Sequence, residues 1–198
     1  MKFLAFLDLH EDKKALKQLL ECSARPEVEF IICAGDLTQF SRNIRFILWK
    51  FNELGKKIYL IPGNHESDKV FSEVLPDYPN FMNINNKAVE VDGYVLLGYG
   101  GGGFSSEDSD FRKIAREWYG KYKDKKTILV IHGPPFGTKT DLIENQYVGN
   151  KDYRAFIERI KPKLVICGHI HETAGMIDKI GETMVINPGW EGMFIELG

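Results

Sequence analysis

Apolar residues fall along this chain in two rhythms. Short runs dense in Ile, Val, Leu and Phe predict strands over residues 2–7, 28–33, 57–61, 94–99, 127–131 and 163–167. Longer stretches with apolar residues three or four apart predict helices over 12–24, 43–54, 68–75, 108–123 and 152–160. In the first of these, Leu16, Leu19, Leu20 and Ser23 form one stripe, with lysines opposite. Asn150 is placed to cap the last helix, and Pro162 follows its end.

Strand, helix and strand in repeated order predict a parallel sheet with right-handed crossovers and helices on its faces. Two regions break the order. Residues 81–99 look like hairpin material, with turns at Asn85-Asn86 and Asp92-Gly93. Residues 173–197 hold short strands at 183–186 and 193–197, with turns at Gly181 and Asn187-Pro188-Gly189. The extra strands predict a second or mixed sheet packed on the first. No linker, repeat or low-complexity block divides the sequence, so one domain over 1–198 is expected.

Composition narrows the function. Lys plus Arg total 26 and Asp plus Glu total 28, a net charge of −2. That balance weighs against a protein that coats nucleic acid or an anionic membrane. The apolar run at Phe3–Leu7 stops at Asp8, too short for a secretion signal or a membrane span. Cys22, Cys33 and Cys167 are too few and too scattered for a disulfide framework or a thiolate zinc site, and a reducing, cytoplasmic setting is expected. Cys33 and Cys167 sit in apolar runs and read as core. The run Lys121–Lys126 reads as a solvated helix end.

The histidines change the picture most. His10, His65, His132, His169 and His171 all lie just past the carboxyl end of an apolar strand run. Ligands of open α/β sheets bind at that edge, so these side chains should gather on one rim. Asp8, Asp36 and Asn64 travel with them. Imidazoles, two carboxylates and an amide oxygen, without a thiolate, suit two divalent ions of mixed nitrogen and oxygen preference. Gly35, Gly63 and Gly168 let the backbone turn sharply beside them.

The ordered set Asp8-x-His10, Gly35-Asp36, Gly63-Asn64-His65-Glu66, His132 and Gly168-His169-x-His171 resembles the calcineurin-like metallophosphoesterase family. The Asn187-Pro188-Gly189 turn is similar to a further family feature. The resemblance implies a mixed α/β fold, a four-layer αββα sandwich of two mixed sheets flanked by helices. It implies that Asp8, His10, Asp36 and His171 hold one metal, and that Asp36, Asn64, His132 and His169 hold the other, with Asp36 bridging and catalytic. Manganese is the expected ion, with iron, zinc, nickel or cobalt as alternatives. His65 would stand by the leaving group. Departures from the commonest form are Glu11 where glycine often follows the first His, Glu66 where Asp is usual, and Trp190 where a small residue is usual.

The activity so implied is hydrolysis of a phosphomonoester or phosphodiester by hydroxide held between two divalent metals, with His65 assisting departure of the alcohol. Two divalent ions, two carboxylates and a hydroxide leave about one net positive charge to attract a phosphate anion. The expected partner is a small phosphorylated substrate, a nucleotide among the candidates. Three rivals remain: a nuclease, for which no basic stripe is visible; a non-catalytic protein-interaction scaffold, which usually loses ligands; and a dinucleotide-dependent enzyme. The last rests on Gly98-Tyr99-Gly100-Gly101-Gly102-Gly103, but no helix opens at the third glycine, and His132 stands where an acid should grip a ribose. Specificity is expected in loops 100–110 and 133–149, with Phe104, Phe136, Tyr147 and Trp190 near the rim.

Overall fold

The computed structural model describes residues 1–198. In chain order its elements are β1 (Lys2–Phe6), α1 (Lys13–Ser23), β2 (Phe30–Cys33), α2 (Ile44–Asn52), β3 (Lys57–Leu60), α3 (Asp68–Val74), β4 (Phe81–Asn83), β5 (Lys87–Val91) and β6 (Tyr94–Tyr99). There follow α4 (Ser109–Tyr122), β7 (Thr127–Ile131), β8 (Leu142–Ile143), β9 (Gln146–Tyr147), α5 (Lys151–Ile160), β10 (Leu164–Ile166), β11 (Ile177–Ile180), β12 (Thr183–Ile186) and β13 (Met193–Glu196).

The strands form two mixed sheets. The first has the order β13-β1-β2-β3-β4, parallel except for β13. The second has the order β11-β12-β10-β7-β6-β5, parallel in its centre with antiparallel edges. A small hairpin pairs β8 with β9.

The alternation of side chains along each strand builds the layers. In β1, Leu4 and Phe6 face α1, α2 and α3, where they pack with Leu19, Leu48, Phe51 and Phe71. Phe3 and Ala5 face the other way and meet Leu96, Ile128, Val130 and Ile166 of the second sheet. The far face of that sheet, including Leu97, Leu129 and Val165, packs on Phe111, Trp118 and Ile157 of α4 and α5. Strands buried on both faces read as continuous apolar runs, which is why they were visible in the sequence. The result is the expected helix, sheet, sheet, helix sandwich. Asp12, Asp108 and Asn150 cap α1, α4 and α5 by accepting backbone N–H bonds.

Three expectations need correction. The parallel strands do not form a single sheet; they divide into β1–β4 and β6, β7, β10 and β12. Residues 81–83 do not pair with 87–91. They join β3 at the edge of the first sheet, and Asn85-Asn86 carries the chain across to the second. Only the turn at Asp92-Gly93 closes a hairpin there. The edge strand β11 was not expected, because Asp178 and Lys179 interrupt its apolar run. No helix is long and apolar enough to cross a membrane.

Candidate metal centre

The carboxyl ends of β1, β2, β3, β7 and β10 open on one rim between the sheets. Asp8 and His10 follow β1, Asp36 follows β2, Asn64 and His65 follow β3, His132 follows β7, and His169 and His171 follow β10. All eight expected site residues meet there. The turns that bring them in are tight. Asp8, His10, Asp36 and His169 adopt left-handed backbone conformations with φ of 52°, 45°, 52° and 69°. Such strain at non-glycine residues concentrates at functional sites. Gly63 is required by close approach: a Cβ there would lie 2.0 Å from Asp36 Oδ1.

Asp36 is buried at the centre. Its Oδ1 accepts the His65 N–H at 2.9 Å, while Oδ2 lies 3.3 Å from His132 Nε2 and 3.8 Å from His10 Nε2. On one side, His10 Nε2 and His171 Nε2 face each other at 3.1 Å, with Asp8 Oδ2 4.0 Å from the latter. On the other side, Asn64 Oδ1 lies 3.0 Å from both His132 Nε2 and His169 Nδ1. The fully buried His132 ring is held from behind, with Nδ1 2.9 Å from the Ala34 carbonyl oxygen, which fixes that nitrogen as the donor. His169 N–H also donates to Asp8 Oδ2 at 3.0 Å.

Three groups of ligand atoms lie close enough to share an ion: Asp8, His10 and His171; His10, Asp36 and His65; and Asp36, His132 and His169. Asp36 and His10 each belong to two of them. The donor set fits divalent cations on a direct observation. Asp8 Oδ1, His10 Nδ1, His65 Nδ1 and His169 Nε2 are buried without a hydrogen-bond partner. A carboxylate oxygen buried in that way is costly unless a cation compensates it. His65, expected outside the ligand sets, stands in the middle group with His10 and Asp36.

The electrostatics agree. Burial pushes the Asp36 carboxyl up, but its hydrogen bond and charge attraction to His132, with the His65 N–H, outweigh this and hold it low. Burial pushes His132 down, yet Asp36 and Asp8 outweigh it and raise the imidazole. Burial raises Asp8, reinforced by the Asp36 charge. Burial and His132 lower His169 to about 4, and burial lowers His10. Asp36 and His132 thus each favour the charged form of the other, and His169 is held in its neutral form near neutral pH.

The rim opens into a cavity of about 580 Å³ lined by the site residues other than the buried His132, with Glu11, Gln39, Phe104 and Trp190. Of the four loop aromatics expected nearby, Phe104 and Trp190 line it. Phe136 and Tyr147 instead pair with each other, 5.9 Å between centroids, and do not. Sequence reasoning missed Phe40 and named Glu66 only as a departure from the family pattern, without a role. Phe40, 75% exposed, lies 4.5 Å from the His65 ring, and nothing in its sequence context marks it. Glu66 is buried and accepts the N–H groups of Asp36 and Thr38 at 3.0 and 2.8 Å. Its place beside His65 was the available signal. The glycines at 98 and 100 serve close packing, since a Cβ would meet the Ile84 and Pro62 carbonyl oxygens at 2.4 Å. With α4 opening only at Ser109, the dinucleotide reading falls.

Comparison with known proteins places the chain. The profile of the calcineurin-like phosphoesterases matches residues 1–173. The uncharacterised protein MJ1162 of Methanocaldococcus jannaschii is 29% identical over 98% of this chain and 91% of its own length. A probable glycerophosphodiester phosphodiesterase, GpdQ of Arcobacter nitrofigilis, is 26% identical over 76% of this chain and 59% of its own. The crystal structure of TT1561 of Thermus thermophilus has the same fold, with a TM-score of 0.76, 18% identity, and coverage of 96% of this chain and 90% of that one. With its family motifs gathered on one rim of the matching fold, this chain belongs to the calcineurin-like phosphoesterases, a metal-dependent family, and is a hydrolase.

Proposed function

We propose that this protein hydrolyses a small phosphoric ester at a dinuclear metal site. Asp8, His10, Asp36 and His171 hold one divalent cation; Asp36, Asn64, His132 and His169 hold the other. The chemistry such cations would supply when bound is polarisation of the phosphoryl oxygens and acidification of a water for attack on phosphorus near neutral pH. The observation that carries this reading is the position of Asp36, buried with Oδ2 3.8 Å from His10 Nε2 of one proposed ligand set and 3.3 Å from His132 Nε2 of the other.

The chain's own groups have distinct tasks. Asp36 is oriented through Oδ1 by the His65 N–H, leaving Oδ2 toward His10 and His132. The Ala34 carbonyl oxygen fixes the His132 tautomer. His65 lies edge-on to His10 and under Phe40, with Nδ1 unpartnered, so it can hand a proton to a departing alkoxide. Nitrogen and oxygen ligands without thiolate suit manganese, with iron, zinc, nickel or cobalt as the other fits.

The test is metal removal and return. Purified protein stripped by chelation should not release nitrophenol from bis(p-nitrophenyl) phosphate, and added Mn²⁺ should restore release with close to two ions per chain. Full activity in stripped protein, or no metal uptake, would overturn the proposal.

A further inference from the structure

The cavity over the metal centre has a lining that the ligand set does not explain. No Lys or Arg borders it. A second hollow of about 470 Å³ adjoins it through His171 and Trp190, and no Lys or Arg borders that either. Carboxylates are present instead: Glu11 and Asp12 in the first hollow and Glu191 in the second. Asp12 is occupied as the cap of α1. Glu11 is not. It sits at φ 63°, and its Oε1 is buried with no hydrogen-bond partner.

Sites that bind several phosphates supply cationic forks or lysines for them. Here any charge on the substrate beyond the reacting phosphoryl group would meet Glu11 with no counter-ion. Apolar surface is offered in place of charge. Phe104 is 66% exposed on the glycine-rich loop after β6, its centroid 4.7 Å from the His169 ring. Trp190 stands across the ligand set, 6.1 Å from the His171 ring. An exposed phenylalanine held against a ligand imidazole gives a flat substituent a face to stack on.

We propose that the substrate is a phosphodiester with one negative charge bearing a flat apolar group, which stacks on Phe104, while Glu11 disfavours dianionic and polyphosphorylated esters. This rests on the phosphoesterase reading above and narrows it to a substrate class.

Three esters with one common leaving group test it in the Mn²⁺-loaded protein: phenyl p-nitrophenyl phosphate, methyl p-nitrophenyl phosphate and p-nitrophenyl phosphate. The phenyl diester should exceed the methyl diester in kcat/KM by about fivefold, mostly through KM, the scale of one aromatic stack. Phe104→Ala should bring that ratio close to one, and Phe104→Tyr should keep it. Glu11→Gln should shift the balance between methyl diester and monoester about threefold or more toward the monoester. Calorimetric titration with diphenyl and dimethyl phosphate gives a readout independent of turnover: the diphenyl ester should bind more tightly, and Phe104→Ala should close the gap. Turnover of all three esters at ratios indifferent to both variants would overturn this proposal alone. Turnover of none by protein that has taken up metal would overturn the parent reading, and this one with it.

Discussion

The carboxylate of Glu66 lies beneath the backbone of Asp36 and accepts its N–H at 3.0 Å. The other oxygen of Glu66 accepts both the N–H and the hydroxyl of Thr38, at 2.8 and 2.7 Å. Burial, with the charge of Asp36 adding to it, raises the Glu66 carboxyl above the usual range, while the bonds from Thr38 pull the other way. Glu66 therefore positions the strained turn that presents Asp36, and it belongs to none of the three ligand groups and does not line the cavity.

Glu66→Gln should expose that role. The variant keeps one acceptor oxygen but points an NH₂ group at an N–H donor that needs an acceptor. We expect a loss of about 1–3 kcal/mol in denaturant unfolding. Metal affinity should fall about 10- to 100-fold, as for other residues that hold ligands in place. A variant with wild-type affinity for Mn²⁺ would show that the Asp36 turn holds itself.

Gly63→Ala should damage the centre by crowding. The added methyl would fall 2.0 Å from Asp36 Oδ1 and 2.7 Å from the Asp36 nitrogen, both fixed by the turn. Asp36 must move, and with it the group common to both proposed ion positions. The sandwich beneath it has no part in the contact, so circular dichroism should remain native while metal binding and turnover collapse together. Retained binding of two ions would mean that Asp36 is not shared.

His65→Ala should separate proton transfer from metal holding. General acid catalysis contributes about 10²- to 10⁴-fold, and turnover should fall within that range. Metal content should stay near that of the wild type, since His65 lies outside both proposed ligand sets. The loss should shrink for esters of acidic alcohols such as p-nitrophenol, which leave without a proton. Loss of metal in the variant would instead assign His65 to the middle ligand group with His10 and Asp36.

The sequence carried more of the site than of the topology, for a physical reason. Strands buried on both faces form unbroken apolar runs such as Ile31-Ile32-Cys33 and Leu129-Val130-Ile131, and function collects at their carboxyl ends, so the rim could be read from where each run stopped. Which strand pairs with which depends on contacts distant in the chain. The run at Phe81 looks like one arm of a hairpin, yet its neighbour is β3. The same limit hid Phe40 and the contacts of Glu66. Their partners are His65 and Asp36, residues brought near by the sheet rather than by spacing.

Metal binding should strengthen with pH, and the coupling of His132 to Asp36 at the centre gives the sign. His132 has its pKa raised above 6.5 in the folded protein, because Asp36 and Asp8 outweigh the cost of burial. An imidazole must be neutral to accept a cation, so below that raised value the one ion held by His132 displaces a proton from it. Affinity should therefore climb by about one logarithm per pH unit up to the His132 pKa and flatten above it. His169, lowered to about 4, adds no slope near neutrality. Stability of the metal-free protein runs the other way. The raised His132 contributes stability that is complete below 6.5 and is lost as pH rises through its folded value. The depressed Asp36 contributes stability above the ordinary carboxylate range, lost only in acid. The gain in Tm on adding Mn²⁺ should thus widen from pH 6 to pH 8. Calorimetry in buffers of different ionisation enthalpy should count the released proton. A gain in Tm that narrows over that interval would mean that His132 is not the group displaced.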